Sequence, residues 1–217
     1  VQTRTTTLKQ PVISTEVQRK LINLNHRRQV GILGGTFNPP HLGHLVMADQ
    51  VMKQLALEKV LFMPDSQPPH VDEKQTISGK LRQAMVERAI FDNLNFELET
   101  AELQRGGVSY TYDTIKILKQ RHPDTDYYFI IGGDMVAYLP KWHRIDELVK
   151  LVRFVGVRRR DFSVHTPYPV IWVDSPLIDI SSSTIRQRVA NHQSIHYLVP
   201  EGVEDYIYEK GLYVERK

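Results

Sequence analysis

The chain contains no cysteine among its 217 residues. That absence excludes disulfides, thiolate metal centres and a cysteine nucleophile. Nor is there an apolar run approaching the roughly 20 residues that a membrane-spanning helix needs. The start of the chain lacks the apolar stretch of a secretory signal, so a cytoplasmic address is expected. Basic residues barely outnumber acidic ones, 28 against 25, and the small excess is unevenly placed. Residues 1–28 carry Arg4, Lys9, Arg19, Lys20, Arg27 and Arg28 against Glu16 alone, a net +5 that leaves −2 for the remainder. The remainder is therefore no general polyanion binder, and neither nucleic acid nor a membrane is expected as its partner.

Residues 1–28 read as a basic extension, either flexible or an arm for a partner. Residues 29–217 are long enough for one domain with a substantial core. Apolar runs predict strands at 29–34, 59–63, 94–98, 127–132, 152–157 and 170–173. Helical periodicity alternates with them at 43–57, 78–92, 109–121, 144–150, 181–192 and 201–210. Alternation of this kind argues for an α/β fold, a doubly wound parallel sheet covered on both faces. Ligands of such sheets sit beyond the carboxyl ends of the strands, where the strand order switches.

The most informative segment is Gly34-Gly35-Thr36-Phe37-Asn38-Pro39-Pro40-His41-Leu42-Gly43-His44. It leads from the first predicted strand into the first predicted helix. Backbone N–H groups at a helix start lack intrahelical partners and carry partial positive charge, which suits a phosphate. His41 and His44 add donors on one side of the helix. Capping of the turn is the plainer reading, and zinc a third, although no nearby Glu or Cys completes a metal site. Neither the dinucleotide glycine pattern nor the P-loop ending is present. A second segment, Ile180-Ser181-Ser182-Ser183-Thr184-Ile185-Arg186, combines N-cap serines with an arginine one turn inside the helix.

Together these two segments resemble the nucleotidyltransferase superfamily marked by an H-x-G-H site and a late serine-rich helix start. Within it the chain is similar to the bacterial nicotinate mononucleotide adenylyltransferases. Pro68-Pro69-His70, Ser109-Tyr110-Thr111-Tyr112-Asp113-Thr114, Ile131-Gly132-Gly133-Asp134 and Leu139-Pro140-Lys141-Trp142-His143 carry the narrower resemblance. It extends over about residues 29–213. Asn38 stands where many members have Asp, Val71 where Lys is common, and Ser183 where Thr is usual.

The resemblance implies a Rossmann-like fold and transfer of AMP from ATP to nicotinate mononucleotide by direct in-line attack, with release of pyrophosphate; the alternatives are a relative with another acceptor, phosphopantetheine or nicotinamide mononucleotide, and a non-catalytic nucleotide-binding protein. It implies catalytic roles for His41, His44 and Arg186. ATP would lie against Gly34, Gly35, Thr36, Phe37, His41, His44, Gly132, Asp134, Ser182 and Arg186, with Mg²⁺ brought by its phosphates and no metal ligand from the protein. Thr111, Tyr112 and Trp142 would receive the mononucleotide, although Trp142 also reads as ordinary packing and Ser109 as a helix cap. The 65–77 loop, with His70 at its middle, reads as a flap or as plain surface. Arg82 reads as structural, and Arg158-Arg159-Arg160 as a solvated turn from which ATP's phosphates could draw one arginine in. A homo-oligomer is left open.

Overall fold

The computed structural model describes residues 27–69, 76–158, 166–176 and 178–214. Six strands form one parallel sheet: β1 (Arg28–Gly35), β2 (Lys59–Pro64), β3 (Phe96–Leu98), β4 (Thr125–Gly132), β5 (Val152–Arg158) and β6 (Val170–Asp174), in the order β3-β2-β1-β4-β5-β6. Among the described residues eight α-helices accompany them: α1 (Leu42–Gln54), α2 (Gly79–Ile90), α3 (Ala101–Arg105), α4 (Thr111–Arg121), α5 (Gly133–Val136), α6 (Ile145–Leu148), α7 (Ser182–Ala190) and α8 (Glu201–Glu209). A 3₁₀ turn spans Leu139–Lys141.

The two-residue strand period divides the core in two. Leu33, Val60, Phe62, Tyr128, Ile130, Val155 and Val157 face the layer built by α1, α2, α7 and α8. Their neighbours Ile32, Leu61, Met63, Phe129, Ile131 and Phe154 face the layer of α3, α4, α5 and α6. A sheet covered on both faces explains why these strands read as continuous apolar runs. The order reverses between β1 and β4, which pair in parallel register. The crevice beyond their carboxyl ends lies between Gly34-Gly35 and Gly132.

Several expected boundaries shift. The predicted helix 43–57 ends at Gln54 because Ala56 turns left-handed, with φ 50°, and Leu57 N–H returns to Met52 O. The helix expected from 109 begins at Thr111, since Ser109 is spent on another contact: its N–H donates to Gln67 O and its Oγ accepts from Ser66 N–H. The helix expected over 144–150 shortens to Ile145–Leu148, its cap Arg144 lying at φ 53°. The expected extension runs through residue 28, but Arg27 binds Asp126 and Arg28, already in β1, binds Glu58, anchoring both to the sheet. Residues 1–26 lie outside the described residues, as do His70, Val71, Arg159 and Arg160.

Candidate active site

Two cavities open at the switch point. The first, about 400 Å³, lies between the starts of α1 and α7 and reaches Val157 and Arg158 of β5. The second, about 750 Å³, runs from Gly34, Gly35 and Thr36 past Phe129 to Tyr110, Thr111, Trp142 and His143. Their shared wall consists of His44, Met47, Gly132 and Asp134.

His41 and His44 stack with ring centroids 3.7 Å apart. The His41 backbone N–H donates to His44 Nδ1 at 3.1 Å. A neutral His44 with Nδ1 accepting must carry its proton on Nε2, so the tautomer is set by the backbone. Burial pushes His41 down to about 4. His44 is held well below the usual imidazole range by its own burial and then by the adjacent His41. Both rings are therefore neutral at pH 7. His41 Nδ1 is buried and has no partner among the described residues. Gly43 fits closely beneath this stack: a Cβ there would lie 3.0 Å from His41 Nδ1, and the ring would have to give by a few tenths of an ångström.

The amides at the head of α1 are unequally committed. Leu42 N–H donates to Leu198 O and His44 N–H to His41 O. Gly43 N–H has no acceptor among the described residues and remains for an anion. At α7, Ser181 Oγ accepts from Thr184 N–H as the N-cap. Ser182 Oγ donates to Pro39 O at 2.8 Å, and Arg186 Nη1 donates to Asn38 O at 2.9 Å. Two residues expected to hold phosphate thus also stitch α7 to the glycine-rich turn. Ser182 lines the first cavity, whereas Arg186 lines neither and binds Ser183 Oγ with its other nitrogen.

The remaining expected residues are only partly gathered. Gly34, Gly35, Thr36, Thr111 and Trp142 line the second cavity, and Gly132 and Asp134 line both. A Cβ on Gly132 would sit 2.6 Å from Asp134 Oδ1 and displace that carboxylate. Thr36 spends its hydroxyl proton on Asp65 Oδ2 at 2.8 Å, so its Oγ meets a ligand as an acceptor. Phe37 is buried, edge-on to the His44 ring. The Tyr112 side chain is not brought to the cavity. It is buried beneath α4 in the core, with the Arg144 guanidinium over its ring. Trp142 is half-buried: it packs edge-on to Phe129 and Phe154 and borders the second cavity.

The second cavity is also lined by Tyr110 and His143, whose segments carry the resemblance without marking these rings, and by Asp65 and Glu102, which no motif marks. Tyr110 and His143 pair their rings at 4.4 Å. Buried Glu102 accepts from the Thr114 hydroxyl at 2.8 Å, and burial raises its carboxyl above the ordinary range. Arg158, read as part of a solvated turn, borders the first cavity and pairs with Asp174 at 3.2 Å.

A family model described as cytidylyltransferase-like matches residues 32–188. A Lactiplantibacillus plantarum protein named probable nicotinate-nucleotide adenylyltransferase is 62% identical over 200 residues, 92% of this chain and 95% of its own. The chain belongs to the cytidylyltransferase-like family, among the nicotinate-nucleotide adenylyltransferases. An Enterococcus faecalis protein of the same name is 59% identical over 91% of this chain and 90% of its own. The fold recurs in a solved structure of Plasmodium falciparum nicotinic acid mononucleotide adenylyltransferase complexed with NaAD. The TM-score is 0.72 at 21% identity, over 86% of this chain and 97% of that one. Among the described residues no helix is long and apolar enough to cross a membrane.

Proposed function

We propose that this protein transfers AMP from ATP to nicotinate mononucleotide, giving nicotinic acid adenine dinucleotide and pyrophosphate in NAD synthesis. The observation that carries the reading is the shared wall of the two cavities at His44, Gly132 and Asp134. A transfer between two nucleotides needs two compartments meeting at the reacting phosphorus.

ATP would enter the first cavity, its phosphates between the heads of α1 and α7. The unclaimed Gly43 N–H, the His41 and His44 rings and the first amides of α7 supply the donors there. Arg186 would assist from behind the turn. The mononucleotide would fill the second cavity, its ring against Trp142 and its carboxylate toward Thr111 and the amides at the start of α4. Its phosphate would approach the α-phosphorus from the side opposite the departing pyrophosphate.

An ionised phosphate needs no general base, so proximity and stabilisation of developing charge do the catalytic work. The His44 Nε2–H, fixed by the backbone bond to Nδ1, is a preorganised donor for that charge. Among the described residues no group of three or more His, Asp or Glu side chains is placed to hold a metal ion. A Mg²⁺ ion would arrive with ATP, bound by phosphate oxygens and water, and would neutralise charge on the leaving pyrophosphate. Pyrophosphate release measured with ATP and a panel of acceptors tests the reading. Turnover is expected with nicotinate mononucleotide, and no turnover with it would remove the proposal.

A further inference from the structure

Arg82, on α2, is only 1% exposed. A guanidinium has five N–H donors, and each of these has an acceptor. Nε donates to Ile77 O at 3.2 Å. Nη1 donates to Thr36 O at 2.8 Å and Asp65 Oδ1 at 3.1 Å, and Nη2 to Asp65 O at 2.7 Å and Ser66 O at 3.3 Å. No donor remains for a substrate, so Arg82 can act only through what it holds.

What it holds is the peptide between Thr36 and Phe37. This peptide is trans, so its carbonyl and N–H point in opposite directions. With Thr36 O drawn down onto Arg82, the Phe37 N–H is turned the other way, and it has no acceptor among the described residues. Phe37 itself sits at φ 48°, a left-handed conformation that costs a non-glycine residue about 1 kcal/mol or more. Such a conformation persists only where its surroundings over-determine it. Here Arg82 grips the carbonyl before Phe37, and Arg186 grips the carbonyl of Asn38 after it. Asp65 completes the device. It is held by Arg82 and takes the Thr36 hydroxyl proton, fixing that side chain as well.

We infer that Arg82, acting with Asp65, is a positioning residue for adenylyl transfer: it aims the Thr36–Phe37 peptide N–H at the reacting phosphates while touching no substrate. The inference rests on the adenylyltransferase reading. It also accounts for a buried ion pair where a well-packed apolar pair would serve stability equally well.

Arg82→Lys keeps the charge, but the donors of one ammonium cannot span Thr36, Asp65 and Ile77 together. Asp65→Asn keeps the shape and removes the counter-charge. Both are assayed beside wild type, well below each variant's melting temperature. Arg82→Lys is expected to lower kcat at least about tenfold, with KM for both substrates within about threefold, the pattern of lost positioning rather than lost binding. Asp65→Asn should shift kcat in the same direction. Full kcat in either folded variant overturns the inference. So does a loss that disappears on further cooling, because that marks destabilisation alone. If Arg82→Lys does not fold, Asp65→Asn decides by the same criteria. The wild-type control separates this test from the functional reading. Should wild type prefer another acceptor, that reading fails, and the kcat ratio is taken with the acceptor it uses.

Discussion

At the scale of single residues, the two histidines are neutral in the folded chain at pH 7, and their protonation is linked to folding. The folded pKa of His41 lies at about 4, below its ordinary value of 6.5. Between those values the unfolded chain binds the proton and the folded one does not, so stability rises with pH across this window. The contribution is complete above about pH 6.5 and falls on acidification, by roughly 3 kcal/mol at pH 4. Urea unfolding of wild type and His41→Gln should therefore diverge between neutral and acid pH, the wild type losing more. Parallel curves would show that His41 does not titrate with unfolding. His44→Ala should retain the fold and lose about 100-fold or more in kcat, the scale of one preorganised donor removed from a developing charge. Near-normal turnover would reduce His44 to a packing residue.

Among elements, the head of α7 separates two functions that look identical in a run of serines. Ser181 caps the helix through Thr184 N–H, whereas Ser182 ties it to Pro39 O. Ser181→Ala should cost about 1 kcal/mol of stability with little kinetic effect. Ser182→Ala should instead impair ATP use, read as a raised KM for ATP or a lowered kcat at unchanged melting temperature. Equal kinetics in the two variants would mean that the stitch between α7 and the turn is idle. This division was not legible in the sequence, because a serine does not announce which backbone group will take its proton. The strands were legible, since a sheet covered on both faces leaves continuous apolar runs. The short segments Gly133–Val136 and Leu139–Lys141 were not, because one turn is too short for a helical period to repeat. Asp65 stayed hidden for a different reason. Its significance comes from Arg82, 17 residues later, and Thr36, 29 residues earlier, and only the fold brings them together.

For the whole molecule, the site's phosphate affinity and the chain's net charge have separate origins. On the proposed reading the crevice would attract phosphate through oriented amides and neutral imidazoles, short-range donors shaped by the fold. The formal excess of positive charge comes from elsewhere. Residues 1–26 contain Arg4, Lys9, Arg19 and Lys20 against Glu16, so removing them takes the chain from +3 to 0. Nonspecific attraction to a polyanion follows net charge and is lost steeply with salt, whereas binding in a preorganised crevice does not depend on that long-range field. A chain beginning at Arg27 should therefore keep kcat and both KM values within about twofold, while any low-salt retention on heparin largely disappears. Arg27 must be kept, because its bonds to Asp126 and Pro123 O tie the start of β1 to that of β4, the two central strands. A large kinetic loss in the shortened chain would show that the extension reaches the crevice and serves the reaction directly.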